Sequence, residues 1–322
     1  MPSDLCQAPI ASIAAAVSTF RITTERDISE LSGSIETMGL ICPPIVRPMD
    51  ERLCVVSGFR RIAACRFLGW DRIPVRHVPT TFDTWQCALW AAGENAGQRT
   101  LNPVETGRIY RLLRHNAPTD AQLRRALRAM GLPDNLKAER RFAALCELPE
   151  SVQMAVARGT VAMSTADVLS GQDTETAEAL SSLIQELRLG VNKQREVVEL
   201  VLEIARSERQ KPAAILAEPV FSAILRDSQG DRAHRSHRLR DELRHRRFPN
   251  LTRAEAQFEV LRRRIPLAAD AELFPPPGFE GRAYRLSLSF SSREDLCRHR
   301  QMLDALLEHG DLEPILSIGS TF

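Results

Sequence analysis

A change of hydrophobic pattern near residue 80 limits the folds open to this chain. Up to Val78, stretches of helical periodicity alternate with short runs rich in Val and Ile, whereas from Phe82 only helical periodicity continues as far as Ser207. The first part predicts, in chain order, a helix over 28–38, strands over 45–47 and 53–57, a helix over 60–68 and a strand over 73–78. This order is typical of a small α/β domain, followed here by an all-helical region.

The first residues do not resemble a secretory signal. The apolar stretch over 8–17 follows Asp4, and no Lys or Arg precedes it. We interpret Ile10–Ser18 as a short helix or a loosely ordered lead-in. Because no apolar run is long enough to span a bilayer, we expect a cytoplasmic protein without membrane contact.

The composition argues against two classes of site. Seven cysteines are scattered without a Cys-x-x-Cys pair, which argues against a disulfide framework and a zinc site and favours buried apolar thiols. The 43 basic residues, nearly all Arg, are offset by 41 acidic ones. Arg binds phosphate through two parallel hydrogen bonds, so local arginine clusters matter even at a net charge of +2.

The segment Val55–Ala64 predicts a phosphate-binding corner. A strand ends at Gly58 where a helix begins, which brings free backbone N–H groups and the positive end of the helix dipole together. Arg60 and Arg61 add charge-assisted donors in the first turn. The alternative is a tight turn followed by a solvated basic helix.

A second polar cluster follows at Glu94-Asn95-Ala96-Gly97-Gln98-Arg99. Glu94 and Asn95 supply hard oxygen ligands that suit Mg²⁺ beside the phosphates of a nucleotide. Gln98 and Arg99 could reach the same phosphates. The alternative is that Glu94 and Asn95 are the end of a helix and its cap.

The order of these segments resembles that of the ParB family. The matching segments are, in order, Gly39–Pro48, the Gly58–Arg61 box, Leu68–Val75, the Glu94–Arg99 box and the Leu-Asn-Pro-x-Glu signature at Leu101–Glu105. The resemblance covers roughly residues 20–170. It implies CTP and Mg²⁺ as ligands, double-stranded DNA as the partner of a helix-turn-helix, homodimerisation, and a partition ATPase as a further partner. The nucleotide-site residues that it implies are Gly58, Arg60, Arg61, Glu94, Asn95 and Arg99, with Glu94 and Asn95 as Mg²⁺ ligands.

Two positions depart from the family pattern. Phe59 stands where the family has Glu, so the resemblance does not extend to CTP hydrolysis and we expect no classical enzyme. Gln98 occupies the position of the family's arginine, and Arg99 follows one place later. Sulfiredoxins share this N-terminal fold but carry a catalytic Cys where Phe59 stands, and a phenyl ring is not a nucleophile.

Helices over 121–130 and 136–148, joined by a turn with Gly131, fit the helix-turn-helix that the resemblance implies. The residues near the start of the second helix that would reach base edges are Lys137, Glu139, Arg140 and Arg141. The residues of the first helix that would contact DNA phosphates are Arg124, Arg125 and Arg128. The alternative is that these charges simply face water, as on any amphipathic helix.

The C-terminal third leaves two questions open. The arginine-rich run Arg232–Arg247 is either a second phosphate-contacting arm or a solvated linker. After a helix over 251–265, residues 284–290 alternate as a half-buried strand, and a last helix spans 293–309. The apolar face of this strand is covered either by helices of the same chain or by a second copy.

We therefore expect an α+β chain in four parts. These are a ParB-like nucleotide-binding α/β domain (1–98), an all-α DNA-binding domain with a helix-turn-helix (99–210), a basic linker (211–250) and a small C-terminal α/β domain for dimerisation (251–322). The leading hypothesis is a CTP-responsive DNA-binding protein of plasmid or chromosome partition, or of regulation. The alternatives are a nucleotide-independent transcription regulator that keeps the fold and, ranked last, a nuclease, for which Glu94 lacks carboxylate partners.

Overall fold

The computed structural model describes residues 5–14, 18–49, 51–79, 81–227 and 230–318. The chain divides into two compact units, Met1–Val198 and Glu199–Phe322, at a boundary inside one helix. No helix of the described residues is both long and apolar enough to cross a membrane.

The first unit contains a five-stranded mixed sheet. Its strands are β1 (Leu5–Pro9), β2 (Ile13–Ala14), β3 (Ile45–Met49), β4 (Arg52–Ser57) and β5 (Arg72–His77). They lie in the order β1-β5-β3-β4-β2. The pairs β3–β5 and β2–β4 are parallel, and the pairs β1–β5 and β3–β4 are antiparallel.

Ten helices accompany this sheet in the described residues. They are α1 (Ser29–Met38), α2 (Phe59–Phe67), α3 (Thr84–Gln98), α4 (Pro103–Asn116), α5 (Asp120–Ala129), α6 (Leu136–Glu147), α7 (Glu150–Ala157), α8 (Met163–Leu169), α9 (Thr174–Leu187) and α10 (Val191–Glu208), which contains the unit boundary. The predicted change from an α/β to an all-helical pattern is confirmed.

The lead-in is a correction to the sequence interpretation. Ile10–Ser12 form one turn of 3-10 helix, but β1 and β2 flank it, and residues 15–17 lie outside the described residues. Cys6 pairs with Val75 of β5, and Ala8 is buried against the sheet. These small residues have little strand propensity, so pairing with distant strands determines their conformation.

Alternate residues of β4 face two different cores. Val55 packs in one core with Ile35 of α1 and Ile62 of α2. Its neighbours Cys54 and Val56 lie in the other core, on the opposite face of the sheet. The second core continues from the sheet through α3 to α4 and α5, so the segments predicted as separate domains share buried side chains.

The second unit, described by itself, contains short helices and a two-stranded sheet. Beyond α10 its elements are α11 (Pro212–Leu216), α12 (Pro219–Arg226), α13 (Arg232–Arg247), α14 (Pro249–Arg262), β6 (Ala271–Phe274), β7 (Arg285–Leu288), α15 (Arg293–Leu307) and α16 (Leu312–Ser317). The strands β6 and β7 are antiparallel. The sequence pattern did not reveal β6 or α16.

The segment predicted as a basic linker, 211–250, is largely helical where it is described. Arg246 of α13 donates to Glu208 and Glu218, and Arg247 donates to Glu203. These partners come from distant parts of the sequence, so composition alone could not separate a packed helix from a solvated arm. Several arginines of this run therefore bind carboxylates of their own unit.

The apolar face around β7 is covered in part by its own unit. Tyr284 and Leu286 pack against the core that contains Phe258, and Tyr284 Oη donates to Ile315 O at 2.7 Å. Phe290, beyond the end of the strand, is 60% exposed. Intrachain packing thus accounts for the first half of the predicted face.

We predict that Gly107→Ala destabilises the first unit. A Cβ at Gly107 of α4 would lie 2.7 Å from Cys146 Sγ and 2.9 Å from Phe142 O of α6, so the two helices must separate. We expect the free energy of unfolding in urea to fall by about 1–3 kcal/mol.

Gly33→Ala is the matched control, because Gly33 lies within α1 and a Cβ there would meet no atom within 4 Å. Both changes gain the same intrinsic helix propensity, so Gly33→Ala should be neutral or stabilising by about 0.5–1 kcal/mol. Equal effects of the two changes would show that close approach of α4 and α6 is not a constraint.

Candidate nucleotide site and nucleic-acid interface

One cavity of about 240 Å³ in the first unit gathers the residues that the sequence predicts for a nucleotide. It lies between the start of α2 and the last turns of α3, and Thr23 and Leu31 complete its wall. The predicted residues that line it are Gly58, Arg60, Arg61, Glu94, Asn95 and Arg99. Arg60 and Arg99 also line a larger cavity of about 760 Å³, so the space available exceeds the smaller cavity.

Gly58 is required by the geometry of the corner. It caps α2 with a φ of +93°, in the left-handed region that favours glycine. A Cβ at this position would lie 2.7 Å from Pro44 Cβ and 2.9 Å from Pro44 Cα. No other residue fits without moving the segment that leads into β3.

The two arginines after Gly58 are fixed by protein contacts. Arg61 Nη2 donates to Glu94 Oε1 at 2.6 Å, and both side chains are only 16% exposed. Arg61 Nη1 donates to Cys42 O at 2.8 Å, and Arg60 Nη2 donates to Asp27 O at 2.6 Å. The alternative of a solvated basic helix therefore does not describe Arg61.

Three buried polar atoms of residues lining this cavity lack a hydrogen-bond partner among the described residues. They are Thr23 Oγ1, Arg60 Nε and Glu94 Oε2. Buried polar groups are nearly always hydrogen-bonded in folded proteins, so such a group calls for a ligand or water. A hydroxyl and a guanidinium N–H can donate to phosphate oxygens, whereas a free carboxylate oxygen can bind a cation.

Glu94 and Asn95 lie inside α3 rather than at its cap, because the helix continues to Gln98 and Arg99 is the C-cap residue. Asn95 Nδ2 donates to Ala91 O at 2.8 Å, and its Oδ1 accepts from Arg99 Nη2 at 3.4 Å. Among the residues that the structure describes, no group of three or more His, Cys, Asp or Glu side chains is arranged to hold a metal ion.

Arg99 has a partner that the sequence interpretation did not assign to it. Its Nη1 and Nη2 donate to Oε2 and Oε1 of Glu105 at 2.6 and 2.8 Å, a two-bond pair with a carboxylate that is 1% exposed. Glu105 also accepts from the backbone N–H groups of Thr24 and Asn102. Burial raises the pKa of Glu105, but the bonds from Arg99 and the backbone outweigh it and leave the pKa below its usual value.

Phe59 takes part in packing at the position where the ParB pattern has Glu. Its side chain is half-buried and packs against both cores of the first unit. The guanidinium carbon of Arg21 lies 5.9 Å from the centre of its ring. An apolar residue suits this position because it joins two apolar clusters.

The predicted helix-turn-helix corresponds to α5, a turn and α6. Asn135 caps α6 by accepting from Ala138 N at 2.9 Å, and the turn is held by a hydrogen bond from Tyr110 Oη to Pro133 O. The rings of Tyr110 and Phe142 stack with centroids 5.2 Å apart. Packing on α4 thus fixes the orientation of α6.

The predicted DNA-contacting residues differ in their surroundings. Arg141 forms an ion pair with Asp167 of α8 at 2.7 Å, and Glu139 accepts from Arg114 of α4 at 2.6 Å. Arg128 lies 3.5 Å from Asp134. The predicted DNA-contacting residues that are exposed and have no ion pair in the described structure are Arg124, Arg125, Lys137 and Arg140. Arg141 and Glu139 therefore also hold the helices together.

The first unit thus joins an α/β part, which carries the corner at Gly58, to a helical part that contains the helix-turn-helix. The two parts share one core. The family profile described as the ParB N-terminal domain matches residues 3–96. Residues 3–96 are therefore similar to the ParB N-terminal domain, in agreement with the motifs of this region.

The proteins to which this chain is similar include two curated proteins and one solved structure. The nucleoid occlusion protein of Shouchella clausii strain KSM-K16 is 30% identical over 190 residues, which cover 58% of this chain and 64% of that protein. Stage 0 sporulation protein J of Bacillus subtilis strain 168 is 27% identical over 208 residues, covering 63% of this chain and 68% of that protein.

The solved structure is the C-terminally truncated chromosome-partitioning protein ParB from Caulobacter crescentus complexed with CTP-gamma-S. It is 22% identical with a TM-score of 0.28, and the match covers 56% of this chain and 99% of that chain. For the two curated relatives, the chain spans about two thirds of the length of each.

We predict that Glu105→Gln destabilises the first unit in a pH-dependent manner. At pH 7 it replaces a buried carboxylate that binds Arg99, so the free energy of unfolding in urea should fall by about 2–3 kcal/mol. Because the folded pKa of Glu105 is depressed, its contribution is present above the ordinary value of 4.5 and is lost as the pH falls through the folded pKa.

The difference between the wild type and Glu105→Gln should therefore shrink below pH 4.5. Glu36→Gln, an exposed change on α1, is the control and should leave the unfolding free energy within about 0.5 kcal/mol of the wild type. A difference between the wild type and Glu105→Gln that stays constant from pH 7 to pH 3 would contradict the assignment.

Proposed function

We propose that this chain is a DNA-binding protein of the ParB type that acts on chromosomal or plasmid DNA in partition, nucleoid occlusion or regulation. The match of residues 3–96 to the ParB N-terminal domain profile and the names of the two curated relatives support this proposal. The α5–turn–α6 segment supplies the helix-turn-helix geometry, with exposed Lys137 and Arg140 near the start of the second helix.

We further propose that the cavity beside Gly58 binds CTP. The observation that carries this is the grouping of a glycine corner, Arg60 and the unpartnered atoms Arg60 Nε and Thr23 Oγ1 at one cavity. The N-terminal N–H groups of α2 and the guanidinium of Arg60 suit the phosphates. The choice of cytosine rests on the resemblance to the ParB family alone.

Mg²⁺ fits the donor set beside these phosphates. Glu94 Oε2 is buried and has no partner among the described residues, while Glu94 Oε1 accepts from Arg61, so one carboxylate oxygen is oriented and available. Mg²⁺ usually takes one or two protein oxygens together with phosphate oxygens and water. We propose Glu94 as the first such ligand and Asn95 Oδ1 as the second.

Homodimerisation and contact with a partition ATPase are part of the same proposal. The resemblance supports both, and the exposed Phe290 next to β7 gives an apolar group that a second copy could cover. We propose that CTP favours one arrangement of two N-terminal regions over another, which requires that CTP bind the two arrangements with different affinity.

A second function has specific support. Phe59 replaces the family's Glu, and Arg99 is bound to Glu105, so fewer residues remain for a nucleotide than the family pattern has. A transcription regulator that keeps the fold but does not respond to nucleotides would show these features. Nucleotide binding distinguishes the two.

We expect the full chain to bind labelled CTP in equilibrium dialysis, in preference to ATP, GTP and UTP and only with Mg²⁺. Arg60→Gln should weaken binding by about tenfold or more, since one charge-assisted pair is worth about 1.5–3 kcal/mol. Arg61 is avoided because its loss would leave Glu94 half-buried and unpaired.

Arg76→Gln serves as the control, because Arg76 is exposed on β5 and does not line the cavity. Its affinity for CTP should equal that of the wild type. Unchanged affinity of Arg60→Gln would place the nucleotide elsewhere, and absence of binding to all four nucleotides would favour the nucleotide-independent regulator.

For the DNA interface, we expect Arg140→Ala and Arg124→Ala to differ in kind. Binding sites selected from a random duplex pool provide the specific target. Arg140→Ala should cost about 1–3 kcal/mol on that target and less on unrelated duplex, because a base contact is lost. Arg124→Ala should weaken binding to both duplexes equally. The slope of log affinity against log salt concentration should fall by the contribution of about one phosphate contact.

Arg52→Ala, an exposed change at the start of β4, is the control and should alter neither affinity. Equal losses from Arg140→Ala on both duplexes would reduce Arg140 to a phosphate contact. If neither Arg124→Ala on α5 nor Arg140→Ala on α6 weakened DNA binding, the proposed interface would be contradicted.

A further inference from the structure

A third cavity of the first unit, of about 340 Å³, carries an excess of positive charge that the proposed nucleotide site does not use. Its walls contain four arginines, Arg21, Arg26, Arg108 and Arg111, and a single carboxylate, Glu150. None of the arginines of the 240 Å³ nucleotide cavity lines it, and Thr23 is the residue common to these two walls. The larger cavity of about 760 Å³ shares Thr24, Arg26, Glu150 and Met154 with it.

The carboxylate does not neutralise this cluster. Glu150 accepts from Arg26 Nη2, and both side chains are more than 60% exposed. Within the described part of the chain, no carboxylate lies within ion-pair distance of Arg21, Arg108 or Arg111. Three guanidinium groups of one cavity therefore have no ion-pair partner among the described residues.

Arg108 is held in place by neutral groups. Its Nη1 donates to Thr23 O at 2.8 Å and to Ile22 O at 3.2 Å, so the guanidinium is oriented while its other N–H groups remain available. Burial lowers the pKa of Arg108, and the charges of Arg21 and Arg111 lower it further, while Cys146 and Glu105 act in the opposite direction. Arg21 and Arg111 therefore lie close enough to Arg108 to disfavour its charged form, and a bound anion would relieve this repulsion.

We propose that this cavity binds a small phosphate-type oxyanion, either free or as the phosphate group of a small molecule, between Arg21, Arg108 and Arg111. Guanidinium groups give phosphate oxygens paired, charge-assisted hydrogen bonds, and several of them around one cavity favour a doubly charged anion over chloride. The volume admits a phosphate ester but not a duplex.

A small anion fits this position better than the backbone of DNA. Cys146, which lines the cavity, lies on α6 six residues after Arg140. At 100° per residue the two side chains are about 120° apart around the helix axis. The cavity therefore belongs to the side of α6 that packs on α4, whereas Arg140 and Lys137 lie on its exposed side.

Titration calorimetry of the full chain with inorganic phosphate, in chloride buffer of constant ionic strength, tests the proposal. We expect the wild type to bind one phosphate per chain. Arg111→Gln should weaken this binding by roughly tenfold or more. Arg111 is exposed and has no hydrogen bond or ion pair in the described structure, so the fold should not depend on it. Arg108→Gln is a second variant, and Arg76→Gln is the control with the same loss of charge. A second titration with glycerol phosphate in place of inorganic phosphate shows whether the cavity prefers a phosphate ester or the free ion.

Phosphate binding that Arg111→Gln and Arg108→Gln leave unchanged would overturn the proposal and assign the anion to another site, such as the corner at Gly58. Absence of phosphate binding to the wild type would also overturn it. If Arg111→Gln instead weakened binding of unrelated duplex DNA and left phosphate binding intact, the cluster would be a contact to the DNA backbone.

Discussion

The buried carboxylate of Glu105 holds together the three segments on which both proposed sites depend. It accepts from Thr24 before α1, from Arg99 at the end of α3 and from Asn102 at the start of α4. A carboxylate that is 1% exposed is tolerated only with such compensation, because an unpaired buried charge is strongly unfavourable. The position of each segment is therefore tied to the other two.

This arrangement connects the proposed nucleotide cavity to the predicted DNA-binding helices through packed side chains. The core on one face of the sheet runs through α3 into α4 and α5. Helix α4 approaches α6 so closely that Gly107 has no room for a side chain, and Tyr110 stacks on Phe142. A ligand at the end of α3 could influence α6 along this path only if it bound two arrangements of the helices with different affinity.

The sequence predicted the elements whose signals are local and missed those determined by distant partners. Periodicity identified α1 to α10, and glycines such as Gly39 and Gly131 indicated where helices end. The short strands β1, β2 and β6 have two to five residues, too few to show a period, and they form because other strands pair with them. The motif order brought together the cavity residues around Gly58, but the pairs Arg61–Glu94 and Arg99–Glu105 required the fold.

Phe59 stands where the ParB pattern has Glu, and it serves the packing of the first unit. Its ring fills the junction between the two cores of the first unit, a position where a carboxylate would lose water without gaining a partner other than Arg21. The same corner keeps Gly58, Arg60 and Glu94, which suit a nucleotide and a cation. In the proposed function, CTP acts through the free energy of binding, because it favours one arrangement of two N-terminal regions over another.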